Sequence, residues 1–163
     1  MRQFNFAILG AGSIAEKMAS SVIHMPQIIP YGIASRDLDR AKAFSEKFGF
    51  HNFYGSYDEM LRDPKIDLVY VATPHSHHYE HSMMCLHNGK HVLCEKAFTV
   101  NALQAEKLIN YAKSNKLLIA EAMWTRYLPM SRTINELIES GVIGKISLLS
   151  ANLGYLISDK ERL

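Results

Sequence analysis

The chain has 163 residues, enough for one domain with a sizeable core. With 48% apolar and 21% charged residues it is globular rather than disordered. A net charge of +2 is too small to indicate nucleic acid or an anionic membrane surface as partner.

The N-terminal stretch MRQFNFAILGAGSIAEKMASS has a basic start, an apolar run and small residues, as a signal peptide does. Glu16 and Lys17 interrupt the run, and a strand followed by a glycine turn explains the same residues better. No segment approaches the roughly 18 apolar residues of a membrane span. FNFAILG (4–10) predicts a strand, and Ile14, Met18 and Val22 recur at helical spacing from Ser13. YGIAS (31–35) predicts a second strand starting after Pro30. The next helix carries Leu38, Ala41, Phe44 and Phe48 on one face and stops at Gly49. A short strand (51–56) and a short helix ending at Pro64 follow. IDLVYVATP (66–74) is a strongly apolar strand. The helix after it places Tyr79, Met83 and Leu86 on one face and stops at Gly89. HVLCEK (91–96) is the next strand. A helix over 101–114 presents Ala105, Leu108, Ile109 and Ala112, and KLLIAEAMW (116–124) is a sixth strand. Met130, Ile134, Leu137 and Ile138 mark a last helix, closed by Gly141, and 145–157 reads as a strand.

Strands alternating with helices predict βαβ units and a parallel sheet, and continuously apolar strands predict that both its faces are covered. The expected fold class is α/β, a Rossmann-type doubly wound sheet. The expected domains are a dinucleotide-binding domain over 1–122, then a connecting helix and first strand over 123–163 that begin an incomplete α/β domain. Ligands of such sheets lie at the carboxyl ends of the strands.

The first strand ends in GAGSIA (10–15), which is G-x-G-x-x-A. Gly10 permits the tight turn, Gly12 lets a pyrophosphate approach the backbone, and Ala15 is small where helix meets strand. With Ala11, Ser13 and Ile14 these residues form a phosphate loop, because the motif follows a strand and opens a helix. The second strand ends in Ser35 and Arg36, with Arg40 one turn later, where NAD binders usually carry an acid. A hydroxyl and guanidinium groups suit a 2′-phosphate, so NADP is expected over NAD. Asp37 and Asp39 begin the helix and are expected to cap it.

PHSHHYEH clusters four histidines. His77 and His81 share a helix face, as a metal pair would, but no Cys/His or H-E-x-x-H pattern accompanies them, so no metal is expected. His75 and His78 are expected to touch the nicotinamide half of the cofactor, and His77 and His81 to lie at the surface. His24, His51, His87 and His91 read as structural. Cys85 and Cys94 lack metal-type spacing and fit a reducing, cytoplasmic compartment.

GAGSIA, VATPHSHH (71–78), GKHVLCEKA (89–97) and EAMWTRYLP (121–129) together resemble the Gfo/Idh/MocA oxidoreductase family. The last segment is most similar to the branch of dimeric dihydrodiol and D-xylose dehydrogenases. The resemblance implies an NAD(P)-dependent enzyme with an N-terminal Rossmann domain and a C-terminal α/β domain on an open antiparallel sheet. It implies that Lys96 lies beside nicotinamide and substrate and assists proton transfer, and that Glu95 contacts the nicotinamide ribose. Ala97 stands where the family has proline. Thr73, Pro74 and His78 match a T-P-N-x-x-H pattern, with His75 in the asparagine place. Trp124 and Arg126 match positions lining the substrate and nicotinamide pocket.

The implied activity is hydride transfer between the cofactor and a secondary alcohol of a sugar, cyclic polyol or dihydrodiol, with Lys96 as base or as donor to the carbonyl oxygen. Full-length members continue for about as many residues again. They supply further substrate residues and a dimerisation face, so a homo-oligomer is expected of the full-length form. This chain alone is expected to bind cofactor without turnover. The alternative is a non-catalytic dinucleotide-binding sensor.

Overall fold

The computed structural model describes residues 3–152 and 154. Six strands form one parallel sheet: β1 (Phe4–Leu9), β2 (Ile28–Ala34), β3 (Asn52–Tyr54), β4 (Leu68–Val71), β5 (His91–Cys94) and β6 (Ile119–Glu121), in spatial order β3-β2-β1-β4-β5-β6. The chain winds outward from β1 to β3, then restarts at β4 on the other side of β1. The helices between them are α1 (Ser13–Val22), α2 (Leu38–Phe48), α3 (Tyr57–Leu61), α4 (His78–His87) and α5 (Ala102–Ser114).

The period-2 alternation of the strands sorts two cores. Phe6, Ile8, Ile33 and Tyr70 face Ala15, Ala19 and Val22 of α1 and Phe44 of α2. Ala7, Leu9, Val69, Val71, Val92 and Cys94 face Met60 and Leu61 of α3, Cys85 and Leu86 of α4, and Leu108 and Ala112 of α5. Asp37 caps α2 by accepting from the Arg40 N–H at 3.1 Å, as expected, and Gly49 ends that helix at φ 71°.

Several expectations need correction. β2 begins at Ile28 and runs through Pro30. Phe6 pairs with Pro30 but Ala7 pairs with Gly32, so Tyr31 is an extra residue at a bulge. The bulge accommodates a proline that has no N–H for the ladder, while the Pro30 carbonyl accepts from His51 N–H. Leu38 and Ile109 lie on the predicted apolar faces yet are exposed. The buried residues of α4 are His78, Ser82, Cys85 and Leu86 rather than the Tyr79–Met83 line, because the helix turns the histidine inward at its first turn. The expected 145–157 strand does not form over 145–152, where no partner strand lies among the described residues; 153 and 155–157 lie outside them.

The chain divides into two compact units between Met123 and Trp124. The second contains a 3-10 turn (Trp124–Tyr127) and α6 (Pro129–Glu139), which starts on its proline and is followed by Gly141 at φ 70°. Its apolar residues Met130, Ile134, Leu137 and Ile138 are exposed. Among the described residues no helix is long and apolar enough to cross a membrane.

At the amino edge of the sheet, opposite the ligand edge, sits a polar knot that no sequence pattern announced. Asp63 accepts from Tyr31 Oη at 2.9 Å, Tyr54 Oη at 2.8 Å and the Lys65 N–H at 2.8 Å. The buried Lys90 ammonium donates to the carbonyls of Asp63 at 2.6 Å and Ile66 at 3.0 Å. Burial pushes the Asp63 carboxyl up, but the bonds from Lys65, Tyr54 and Tyr31 outweigh it and hold it below its ordinary 3.8. A carboxyl whose folded value is depressed stabilises the fold above its unfolded value and loses that effect as pH falls through the folded one. Asp63→Asn is therefore expected to lower stability at pH 7 by about 2 kcal/mol, with the gap to wild type closing as the pH drops below 3.8. Urea unfolding at a series of pH values measures it; a gap independent of pH contradicts this role.

Candidate active site

Four loops meet at the carboxyl edge of the sheet, and the first is the turn from β1 into α1. Gly10 has φ 103°, and a Cβ there would stand 3.0 Å from the Ala72 carbonyl oxygen and 3.1 Å from Thr73 Cγ2. The turn is thus pressed against the end of β4, at the point where strand order reverses. Gly12 is the N-cap of α1, and a Cβ there would meet nothing within 4 Å, so the space above the helix amides is open. Ala11, Ser13 and Ile14 complete the turn, and Ala15 is fully buried beneath it.

The second loop follows β2. Ser35 is buried, and its Oγ accepts from the Asp37 N–H at 3.2 Å, which leaves its own proton free to donate. Arg36 is exposed. Arg40 reaches back from α2 so that its Nε donates to the Ala11 carbonyl at 2.9 Å, which fixes one guanidinium beside the phosphate loop. Ala11, Gly12, Ser13, Arg40 and Phe44 line a cleft of about 300 Å³, together with Glu16 and Lys47, which pair at 3.1 Å.

The third loop carries Thr73, Pro74 and the 3-10 turn His75–His77. His75 is exposed. His78 differs from expectation: it is 0% exposed, with Nδ1 2.7 Å from the Ala97 carbonyl oxygen and Nε2 2.9 Å from that of Thr73. Both ring nitrogens are engaged by backbone, so the ring has none left for a cofactor. His81, expected at the surface, is half-buried, with Nδ1 2.9 Å from Thr73 Oγ1 and its ring edge-on to Tyr57 at 5.0 Å. Burial, then the neighbouring His77, draws it below its ordinary 6.5. His77 is exposed, 3.7 Å from Glu80. Among the described residues no group of three or more His, Cys, Asp or Glu is placed to hold a metal ion.

The fourth loop is the lip Glu95-Lys96-Ala97. Glu95 and Lys96 do not form the ion pair their adjacency invites. Glu95 is 7% exposed; its Oε1 accepts from Tyr70 Oη and its Oε2 from the Lys96 N–H at 3.1 Å. Lys96 is exposed. Ala97 is held by His78, and the Phe98 N–H donates to Glu121 Oε1 at 2.9 Å from the end of β6. The Lys96–Ala97 peptide is cis. Trp124 and Arg126 lie on the 3-10 turn of the second unit and are exposed.

Tyr70 and Glu121 were not singled out from sequence, although the pattern contained a signal for Tyr70. Tyr70 pairs with Leu93 across β4 and β5, so Glu95 lies on the same face two residues farther on, within a diagonal side-chain contact. Burial, then the bond to Glu95, pushes the Tyr70 phenol well above its ordinary range.

These loops belong to a dinucleotide-binding sheet, and the comparisons with known proteins agree. The family model of the Gfo/Idh/MocA oxidoreductases, with NAD-binding Rossmann fold, matches residues 4–122. The chain belongs to this family. It is 44% identical over 168 aligned residues to D-xylose 1-dehydrogenase (NADP(+)) of Hypocrea jecorina, covering 96% of this chain and 43% of that protein. It is 34% identical to trans-1,2-dihydrobenzene-1,2-diol dehydrogenase of Mus musculus, covering 96% and 48%. KijD10, a 3-ketoreductase from Actinomadura kijaniata solved with TDP-benzene and NADP, superimposes with a TM-score of 0.82 at 33% identity, covering 88% of this chain and 46% of that one. The chain thus spans less than half the length of these relatives.

Tyr70→Phe removes the hydroxyl that holds buried Glu95. It is expected to lower stability by about 2 kcal/mol, read as a shift of the urea midpoint. An unchanged midpoint would mean that the pair contributes nothing to the lip.

Proposed function

We propose that this chain is the NADP(H)-binding part of an oxidoreductase that moves hydride between the cofactor and a secondary alcohol of a sugar, cyclic polyol or dihydrodiol. The carrying observation is the convergence, at one sheet edge, of an open phosphate loop, a β2 end bearing Ser35 and Arg36, and the Glu95-Lys96 lip. Residues 1–122 are read as the cofactor domain, and 123–163 as the connection into a second one.

The residues fit NADP. The amides at the start of α1 face open space over Gly12, where a pyrophosphate gains from the helix N-terminus. Beyond β2, Asp37 caps α2 and Arg40 is already latched at the loop. Arg36, which is exposed, supplies the guanidinium for a 2′-phosphate. NADP in the name of the xylose dehydrogenase relative and in the ketoreductase complex supports the same choice. When bound, the nicotinamide supplies or accepts the hydride. Thr73, Pro74 and His75 border its half of the edge. Lys96 takes the hydroxyl proton at Nζ in oxidation and donates to the carbonyl oxygen in reduction. Glu95, fixed by Tyr70, faces the ribose side.

Fluorescence titration with NADPH and NADH tests the cofactor. Arg36→Ala is expected to weaken NADPH by about tenfold or more, the loss of a charge-assisted bond, and NADH by less than about twofold. Equal weakening would move the assignment to NAD. Lys96→Ala, assayed with D-xylose and a dihydrodiol in the full-length protein, is expected to lower kcat by about 100-fold or more, with NADP(H) affinity retained. An unchanged kcat would remove Lys96 from the reaction.

A further inference from the structure

We propose that His78 is a positioning residue for Lys96: its ring ties the loop after β4 to the loop after β5, so that the two loops present the nicotinamide half of the site as one body. The inference rests on the cofactor reading above and adds a residue that makes no contact with the cofactor itself. His78 opens α4, and its first-turn position turns the ring under both loops. The ring is fully buried and spans Thr73 O at 2.9 Å and Ala97 O at 2.7 Å. Thr73 lies in the loop two residues beyond β4, and Ala97 directly follows Lys96. Each carbonyl oxygen accepts, so the ring donates to the strands' loops through its N–H.

The placement of the tie decides what it controls. The sheet order puts β2 and β3 on one side of β1 and β4, β5 and β6 on the other. With the pyrophosphate over the β1–α1 turn, the adenosine half extends toward β2 and the nicotinamide half toward β4 and β5. Both hydrogen bonds of the His78 ring go to the second half. Glu95 has its own anchor in Tyr70, and Phe98 has one in Glu121, which leaves the Ala97 carbonyl to His78. Cutting the tie therefore frees the backbone at Lys96 and Ala97 while the phosphate loop and the β2 end keep their bonds.

The test compares the whole cofactor with its adenosine half. His78→Phe keeps an apolar ring and removes both nitrogens; His78→Gln keeps one amide donor and serves if the Phe variant does not fold. Affinities of this chain for NADPH and for 2′,5′-ADP are measured by titration. The expected result is an NADPH affinity about tenfold weaker in His78→Phe, a smaller loss in His78→Gln, and 2′,5′-ADP unchanged within about twofold in both. Parallel loss of both ligands would reduce His78 to general stability and overturn the proposal, as would unchanged NADPH affinity. A wild-type chain that binds neither ligand would instead overturn the cofactor reading, on which the tie's role rests.

Discussion

Gly10 lies so close to the end of β4 that no side chain fits between its Cα and the Ala72 carbonyl. The rest of the ligand edge depends on this contact. It lets the turn out of β1 drop against Thr73 and aims the start of α1 along the cleft between β1 and β4. The backbone at φ 103° is one that L side chains rarely adopt, so two constraints select glycine there, conformation and space. Every other feature of the site is placed relative to that turn: Arg40 by its bond to the Ala11 carbonyl, Thr73 by contact, and the Glu95 lip by one further step across the sheet.

The lip shows how a buried charge is tolerated. Glu95 follows a strand covered on both faces, where an unpaired carboxylate would be costly. Its two oxygens are satisfied by a phenol and a backbone amide, not by the ammonium next to it. Lys96 is left exposed toward the edge, while Glu95, Ala97 and Phe98 around it are fixed by Tyr70, His78 and Glu121. A reactive side chain on a tethered backbone is the arrangement that proton transfer needs, because the amine must reach a reacting oxygen from a position set in advance.

Much of this was legible in the chain. The strand–glycine–helix pattern at 4–15, the alternation of apolar strands with helices, and the Asp37 cap all follow from local rules of periodicity and turn chemistry, and each lies where those rules put it. What failed did so where a neighbour decided. Pro30 reads as a strand boundary but is absorbed by a bulge at Tyr31. His81 reads as a surface residue, but Thr73 and Tyr57 enclose it. The 145–152 segment has a strand's composition, but among the described residues it forms no strand.

The amino-acid sequence by itself determined the order of elements, the two-faced sheet and the residue types at the ligand edge, because these depend on spacing along the chain. Tertiary structure alone decided which of those residues are free to meet a ligand. Glu95 and Lys96 are adjacent in the chain, yet the fold gave the carboxylate to Tyr70, on a different strand, and left Lys96 exposed. His75 and His78 suggested two cofactor contacts; the fold committed His78 to two carbonyls nineteen and five residues away. The reason is that hydrogen-bond partners at a sheet edge are chosen by register and by helix placement, which bring together residues whose separation in sequence carries no periodic signal.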